Sequence, residues 1–312
     1  MASLPHGPFS SRQVESPYYP SQSHEAARKA ALLCLGDGEK GVFLAGPSGS
    51  GKTTVLRQIL QHQAVPDEVL FVHSALPLTR RDLIQCLLFD CQLPVDGSDV
   101  ELHLRLMDHL AAILGKGQPI WIVLDDADLL DSHGFAELVG LTRLPGQSGA
   151  RLQIIFTGDR PSWESDAHAS SIPRIDLAPW GANELADWIR QLIGAVTGHP
   201  MPGPEKVLMD LIAPGGAGLP GHILATLRYA WRLVEDPAVV YPNAENLSQA
   251  LQRLSPVWRK QNQRSELRPP ILSGEDLPPK LVIPNQPEMD FEGIEEWMAG
   301  GSRQAFSWVQ GG

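Results

Sequence analysis

The sequence predicts an α/β protein: a parallel β-sheet flanked by helices on both faces, then a small all-helical domain and an extended tail. Three observations carry this reading. Up to Pro179, short apolar runs alternate with amphipathic stretches, the pattern of strands joined by helical crossovers. Beyond Pro179 the apolar period becomes purely helical. From Ser255 onward periodicity is lost, and seven prolines fall within the last 58 residues, a composition that does not support a packed core. The expected domains are therefore 1–180, 181–254 and 255–312, the last a Pro-rich tail that is disordered or partner-binding.

The elements follow in chain order. His24 to Leu35 carries an apolar face and stops at Gly36, a helix end. GVFLAG (41–46) is a buried strand entering a glycine turn, and Thr53 to Gln61 reads as a helix. VLFVHS (69–74) is the next strand, followed by helices over Asp82–Cys91 and Val100–Leu114. IWIVLDD (120–126) is a strongly apolar strand ending in two carboxylates; RLQIIFTG (151–158) and RIDLAP (174–179) complete the strands. In the helical part, Leu185, Trp188, Ile189, Leu192, Ile193 and Val196 share one face, and further helices are expected at about 204–213, 220–235 and 244–254.

Composition narrows the function classes. Lys and Arg number 25 against 36 acids, a formal charge of −11, which disfavours a generic nucleic-acid coat or polybasic membrane binder. The three cysteines have no CxxC or Cys/His metal spacing, which fits a reducing compartment. The opening residues lack the regions of a secretion signal. No apolar run approaches the roughly 20 residues of a membrane span. A cytoplasmic protein, reaching membranes only through a partner, is the expectation.

Gly46-Pro47-Ser48-Gly49-Ser50-Gly51-Lys52-Thr53 matches GxxxxGK[ST], with a buried strand before it and a helix, opening with Thr53 and Thr54, after it. Glycines let backbone N–H groups converge on phosphate oxygens, and the helix N-terminus adds its dipole. Lys52 then reaches the β- and γ-phosphates of ATP or GTP, and Thr53 holds Mg2+. The second half of such a site is an acid at the end of a neighbouring strand. WIVLDD supplies Asp125 for the metal and Asp126 where a water-positioning carboxylate belongs. Two acids capping a strand-to-loop turn are the plainer alternative. Aspartate is also one methylene shorter than the glutamate usual here, and proximity effects are steep.

The order of these residues resembles the ExeA-type (general secretion pathway protein A) AAA+ ATPases, to which the TnsC, TniB and MuB transposition ATPases are related. The resemblance runs over residues 8–232. It takes in PF (8–9), SPYYPSQSHEAARKAALLCL (16–35), LAGPSGSGKTTVLRQIL (44–60), DLIQCLLFDCQLP (82–94), WIVLDDADLL (121–130), LQIIFTGDRPSW (152–163), IPRIDLAPWGANELADWI (172–189) and PGGAGLPGHILATLRYAW (214–231). It implies a P-loop NTPase core with a helical lid, ATP and Mg2+ as cofactors, and ATPase activity. It makes Thr157 the polar residue that senses the γ-phosphate, or else an ordinary β-branched strand end. It makes Arg174 an arginine finger toward a neighbouring subunit, or else a surface arginine. Tyr18, Tyr19 and His24 flank the adenine or pack the first helix. Two departures bear on turnover: the acid pair is Asp-Asp, and Gly218-Leu219-Pro220-Gly221-His222 lacks the family's sensor arginine.

Three functions compete on this reading. The first is an ATP-driven oligomer, ring or filament, that controls a partner in bacterial secretion or envelope assembly. The second is a transposition regulator of the TnsC/MuB kind on DNA. The net charge speaks against it, while the basic residues Arg253, Arg259, Lys260, Arg264 and Arg268 speak for it. The third is an ATP-bound scaffold with little hydrolysis. In the tail, Met289, Phe291, Ile294, Trp297 and Met298 lie among four acids, a segment suited to docking on a protein partner by folding on it, or to packing on the chain's own nucleotide-binding domain. His103 and His109, six apart, do not share a helical face for a metal.

Overall fold

Period-two alternation along the central strands decides how the sheet is covered. The computed structural model describes residues 18–62, 65–73, 78–165, 169–197, 218–234 and 245–255. Its strands are β1 (Gly41–Ala45), β2 (Glu68–His73), β3 (Ile120–Asp125), β4 (Leu152–Gly158) and β5 (Arg174–Asp176). All pair in parallel, in the order β2-β3-β4-β1-β5. Along β3, Ile120, Ile122 and Leu124 enter one apolar core while Trp121 and Val123 enter another. Both faces are therefore buried, as an all-parallel sheet requires.

Helices α1 (Gln22–Gly36) and α2 (Lys52–Leu60) cover one face. Helices α3 (Arg80–Asp90), α4 (Asp99–Leu114) and α5 (Ser132–Leu141) cover the other. Helix starts are set by caps: Ser21 accepts from the His24 N–H, and Thr79–Asp82 and Ser98–Glu101 form capping boxes. These caps place each start one or two residues earlier than the apolar period alone indicates. On the α1 side, buried Gln153 accepts from the Trp121 indole N–H at 3.1 Å and donates to Leu35 O and Glu39 O at 2.9 and 2.7 Å. It fastens the end of α1 to the sheet.

β5 is shorter than the expected 174–179. The Leu177 N–H still donates to Ala45 O at 2.8 Å, but two residues on, Pro179 has no N–H to continue a ladder. Beyond it, α6 (Ala182–Thr197), α7 (Pro220–Arg232) and a helix over 245–255, α8, enclose a third apolar core. Trp180, Trp188, Ile189, Leu192, Ile223, Leu227 and Leu247 fill it. The helix expected at about 204–213 and the tail from residue 256 lie outside the described residues. No helix among the described residues is long and apolar enough to cross a membrane.

Candidate functional site

Parallel strands align their carboxyl ends, and open α/β sheets bind ligands there. The register places Leu44 beside Thr157 and Leu124 beside Phe156, so the ends of β1, β4 and β3 are level. Gly46, Thr157 and Asp125 are brought to one edge although β1 and β3 are not adjacent.

The loop leaving β1 turns through left-handed glycines, Gly49 at φ 84° and Gly51 at φ 96°. Gly46 donates its N–H to Gly158 O at 3.0 Å and so anchors the loop to β4. Lys52 opens α2; its ammonium is largely buried and donates to Gly46 O at 2.7 Å and Pro47 O at 3.2 Å. Burial pulls its pKa below the ordinary lysine value, while the carboxylates of Asp128, Asp126, Asp159 and Asp125 oppose that shift.

Across the loop, Thr53 Oγ1 donates to Asp125 Oδ2 at 3.0 Å, joining residues 72 apart in the chain. Thr157 is fully buried. Its hydroxyl donates to Asp125 Oδ1 at 2.5 Å and accepts from the Asp126 N–H at 3.1 Å. It thus grips both acids from behind. Asp126 takes a left-handed conformation, φ 59°, uncommon for a residue with a side chain, and it lines the cleft.

A cavity of about 360 Å³ opens over this edge. Its floor is Ser48, Gly49, Gly51, Lys52, Thr53 and Thr54, and Tyr18, Tyr19, His24, Trp180, Trp188 and Leu224 form an aromatic and apolar wall. Pro220 and Gly221, at the start of α7, close one side. Gly46, Pro47, Ser50, Asp125, Thr157 and Arg174 do not line it. Arg174 stands at the head of edge strand β5, ion-paired to Asp176 at 2.9 Å, with its guanidinium 5.4 Å from the centre of the Phe43 ring.

Sequence reasoning missed the wall contributed from the far side of Pro179. Trp180 meets Tyr19 at 5.4 Å, His24 at 4.8 Å and Trp188 at 5.4 Å between ring centres. Trp188 lay on the recognised apolar face of α6; an aromatic directly after the proline was the available signal for Trp180. Also missed was the seat of α7 on the phosphate loop. Gly221, the position of the absent arginine, donates its N–H to Gly49 O at 2.8 Å. A Cβ on Gly221 would fall 2.6 Å from Gly49 Cα. Arg228 lies two turns along α7; His222 is buried, and burial lowers its pKa.

Fold and cleft define a P-loop NTPase fold, and residues 36–164 match the model of an AAA domain. The chain is 33% identical over 154 residues to General secretion pathway protein A of Aeromonas hydrophila, which bears out the resemblance to ExeA-type AAA+ ATPases. That match takes in 48% of this chain and 28% of the relative's length. Among solved structures, Cdc6p from Pyrobaculum aerophilum superposes with a TM-score of 0.60 at 14% identity, over 79% of this chain and 70% of that one. The Aeropyrum pernix ORC1 protein in complex with DNA superposes with a TM-score of 0.58 at 20% identity, over 79% of this chain and 68% of that one. At such identities the likeness is one of fold.

Proposed function

We propose that this protein binds ATP with Mg2+ in the cleft, hydrolyses it, and uses the cycle to control its assembly with copies of itself and a protein partner. The observation that carries the reading is the meeting of Thr53, Asp125 and Thr157 at the mouth of a glycine loop whose two left-handed residues admit no ordinary side chain. This donor set fits the group: hydroxyl and carboxylate oxygens suit Mg2+, and loop amides with a lysine suit a triphosphate. Thr53 and Asp125 would hold the cation, whose charge would offset that of the phosphate oxygens.

The chain's own residues divide the remaining work. The loop amides and Lys52 hold the phosphates, Thr53 and Asp125 hold the cation, and the aromatic wall takes the base. Asp126 orients the attacking water, and Thr157 fixes Asp126 by its amide. Arg174, half exposed on an edge strand, offers its charge to a nucleotide on a neighbouring copy. The similarity to General secretion pathway protein A of Aeromonas hydrophila favours a partner in secretion, and residues 255–312 are the segment proposed to meet it.

A second reading, an ATP-bound scaffold with little turnover, is favoured by Asp126 in place of glutamate and by Gly221 where an arginine would sense the γ-phosphate. Calorimetric titration with ATP and a phosphate-release assay separate the two. Lys52→Ala is expected to abolish ATP binding; wild-type affinity in that variant would refute the site. Asp126→Glu is expected to raise turnover, and an unchanged rate would remove Asp126 from the chemistry.

A further inference from the structure

His24 is placed by sequence either beside the base or in the packing of α1. The structure puts it at the edge of the cleft wall, against the phosphate loop. It lies in the first turn of α1, is 2% exposed, and its Nε2 lies 2.8 Å from Ser50 O. A carbonyl only accepts, so Nε2 carries the proton. Burial holds the pKa below the ordinary histidine value, against the opposing influence of the Ser50 carbonyl, Glu184 and Glu25, and so favours the neutral ring. Nδ1, buried and without a partner, leaves that single bond as the ring's polar anchor. The ring also abuts the loop: a Cβ on Gly51 would fall 2.5 Å from Cε1 and Nε2. From another side it meets Trp180 edge-on at 4.8 Å and 71°.

A trans peptide points its C=O and the following N–H in opposite directions, and no described peptide is cis. Drawing the Ser50 carbonyl toward α1 therefore turns the Gly51 N–H away from α1. Left-handed Gly51 lets the next residue, Lys52, start α2 from that orientation. We propose that His24 is a positioning residue of the phosphate site: it locks the Ser50–Gly51 peptide so that the Gly51 N–H is presented to a phosphate oxygen. The proposal rests on the nucleotide reading above and assigns α1, which lies outside the glycine motif, a share in anion binding.

Full-length wild-type, His24→Phe and His24→Gln proteins are titrated calorimetrically with ATP and with inorganic tripolyphosphate, and their thermal midpoints are recorded. Phenylalanine keeps the ring contacts but lacks the donor; glutamine restores an N–H at similar reach. A hydrogen bond to a charged group is worth roughly tenfold or more in affinity. His24→Phe is therefore expected to lose about tenfold for both ligands, and His24→Gln to stay within about threefold of wild type. His24→Asn, whose amide stops short of Ser50 O, provides a second donor-deficient variant and is expected to behave as His24→Phe. Loss for ATP with tripolyphosphate unaffected would overturn the proposal and return His24 to the base. Glutamine no better than phenylalanine, at equal thermal midpoints, would overturn it as well. Wild-type protein that binds no ATP would refute the nucleotide reading itself, whereas wild-type binding matched by His24→Phe refutes this proposal alone.

Discussion

Replacing Gly221 by alanine sets helix propensity against packing in a way that tests the seat of α7 on the phosphate loop. Gly221 has no positive φ and lies in the first turn of a helix, where alanine is favoured by up to about 1 kcal/mol. The new Cβ would fall 2.6 Å from Gly49 Cα and 3.0 Å from Gly49 O. Both are backbone atoms of the loop, so neither can rotate aside. Such overpacking costs about 1–3 kcal/mol. Relief by lifting α7 weakens the Gly221 N–H to Gly49 O bond of 2.8 Å, worth about 1 kcal/mol. The balance is a loss of about 1–2 kcal/mol, or roughly 5- to 30-fold if nucleotide binding uses the seated helix. Thermal unfolding and ATP titration measure the two effects. A raised midpoint with unchanged ATP affinity would show that propensity alone operates and would refute the contact.

Three other outcomes follow from the same structure. Thr157→Val keeps the side-chain shape but removes one of the two hydroxyls that donate to Asp125, and the hydroxyl that accepts from the Asp126 N–H. It should cost about 1–3 kcal/mol in urea denaturation and slow phosphate release more than it weakens ATP binding; wild-type values in both assays would refute the grip. Gln153→Leu orphans the Trp121 indole N–H, takes the side-chain donor from the Glu39 carbonyl and leaves the Leu35 carbonyl with backbone donors alone, so denaturant midpoints should report a loss of about 2 kcal/mol, and a neutral result would contradict the fastening of α1. His24 and His222 both have pKa values pushed below the ordinary 6.5 by burial. Below pH 6.5 the unfolded chain binds the more protons, so stability is complete above that pH and declines as pH falls through the folded-state values. Urea midpoints at pH 7.5 and 5.5 check the sign, and an increase on acidification would refute it.

The alternation of strand and helix was legible because burial on both faces leaves continuous apolar runs, as in IWIVL of β3. The glycine loop was legible because few residue types satisfy its backbone. Boundaries were less so: Thr79 and Ser98 start helices through side-chain caps that the apolar period does not register, and Pro179 shortens β5 by withholding an N–H. The wall of the cleft was hidden for a different reason. Trp180, Tyr19 and Trp188 are brought together by the packing of α6 and α7, and aromatic residues carry the same sequence signal whether they fill a core or face a ligand. Gly221 was read as a missing arginine; that its lack of a side chain lets two backbones touch needed the third dimension.

The strand order has a consequence for the newly made chain. β1, β2 and β3 leave the ribosome before β4, yet β4 must lie between β1 and β3. Until residues 152–158 arrive, the strand bearing the glycine loop and the strand bearing Asp125 have no common neighbour, and Thr53 cannot meet its carboxylate. Contacts of such sequence separation form late in folding. A nascent chain halted before β4 would leave the edges of β1 and β3 that face β4 unpaired. The last central strand to be synthesised is thus the one that makes the earlier ones competent.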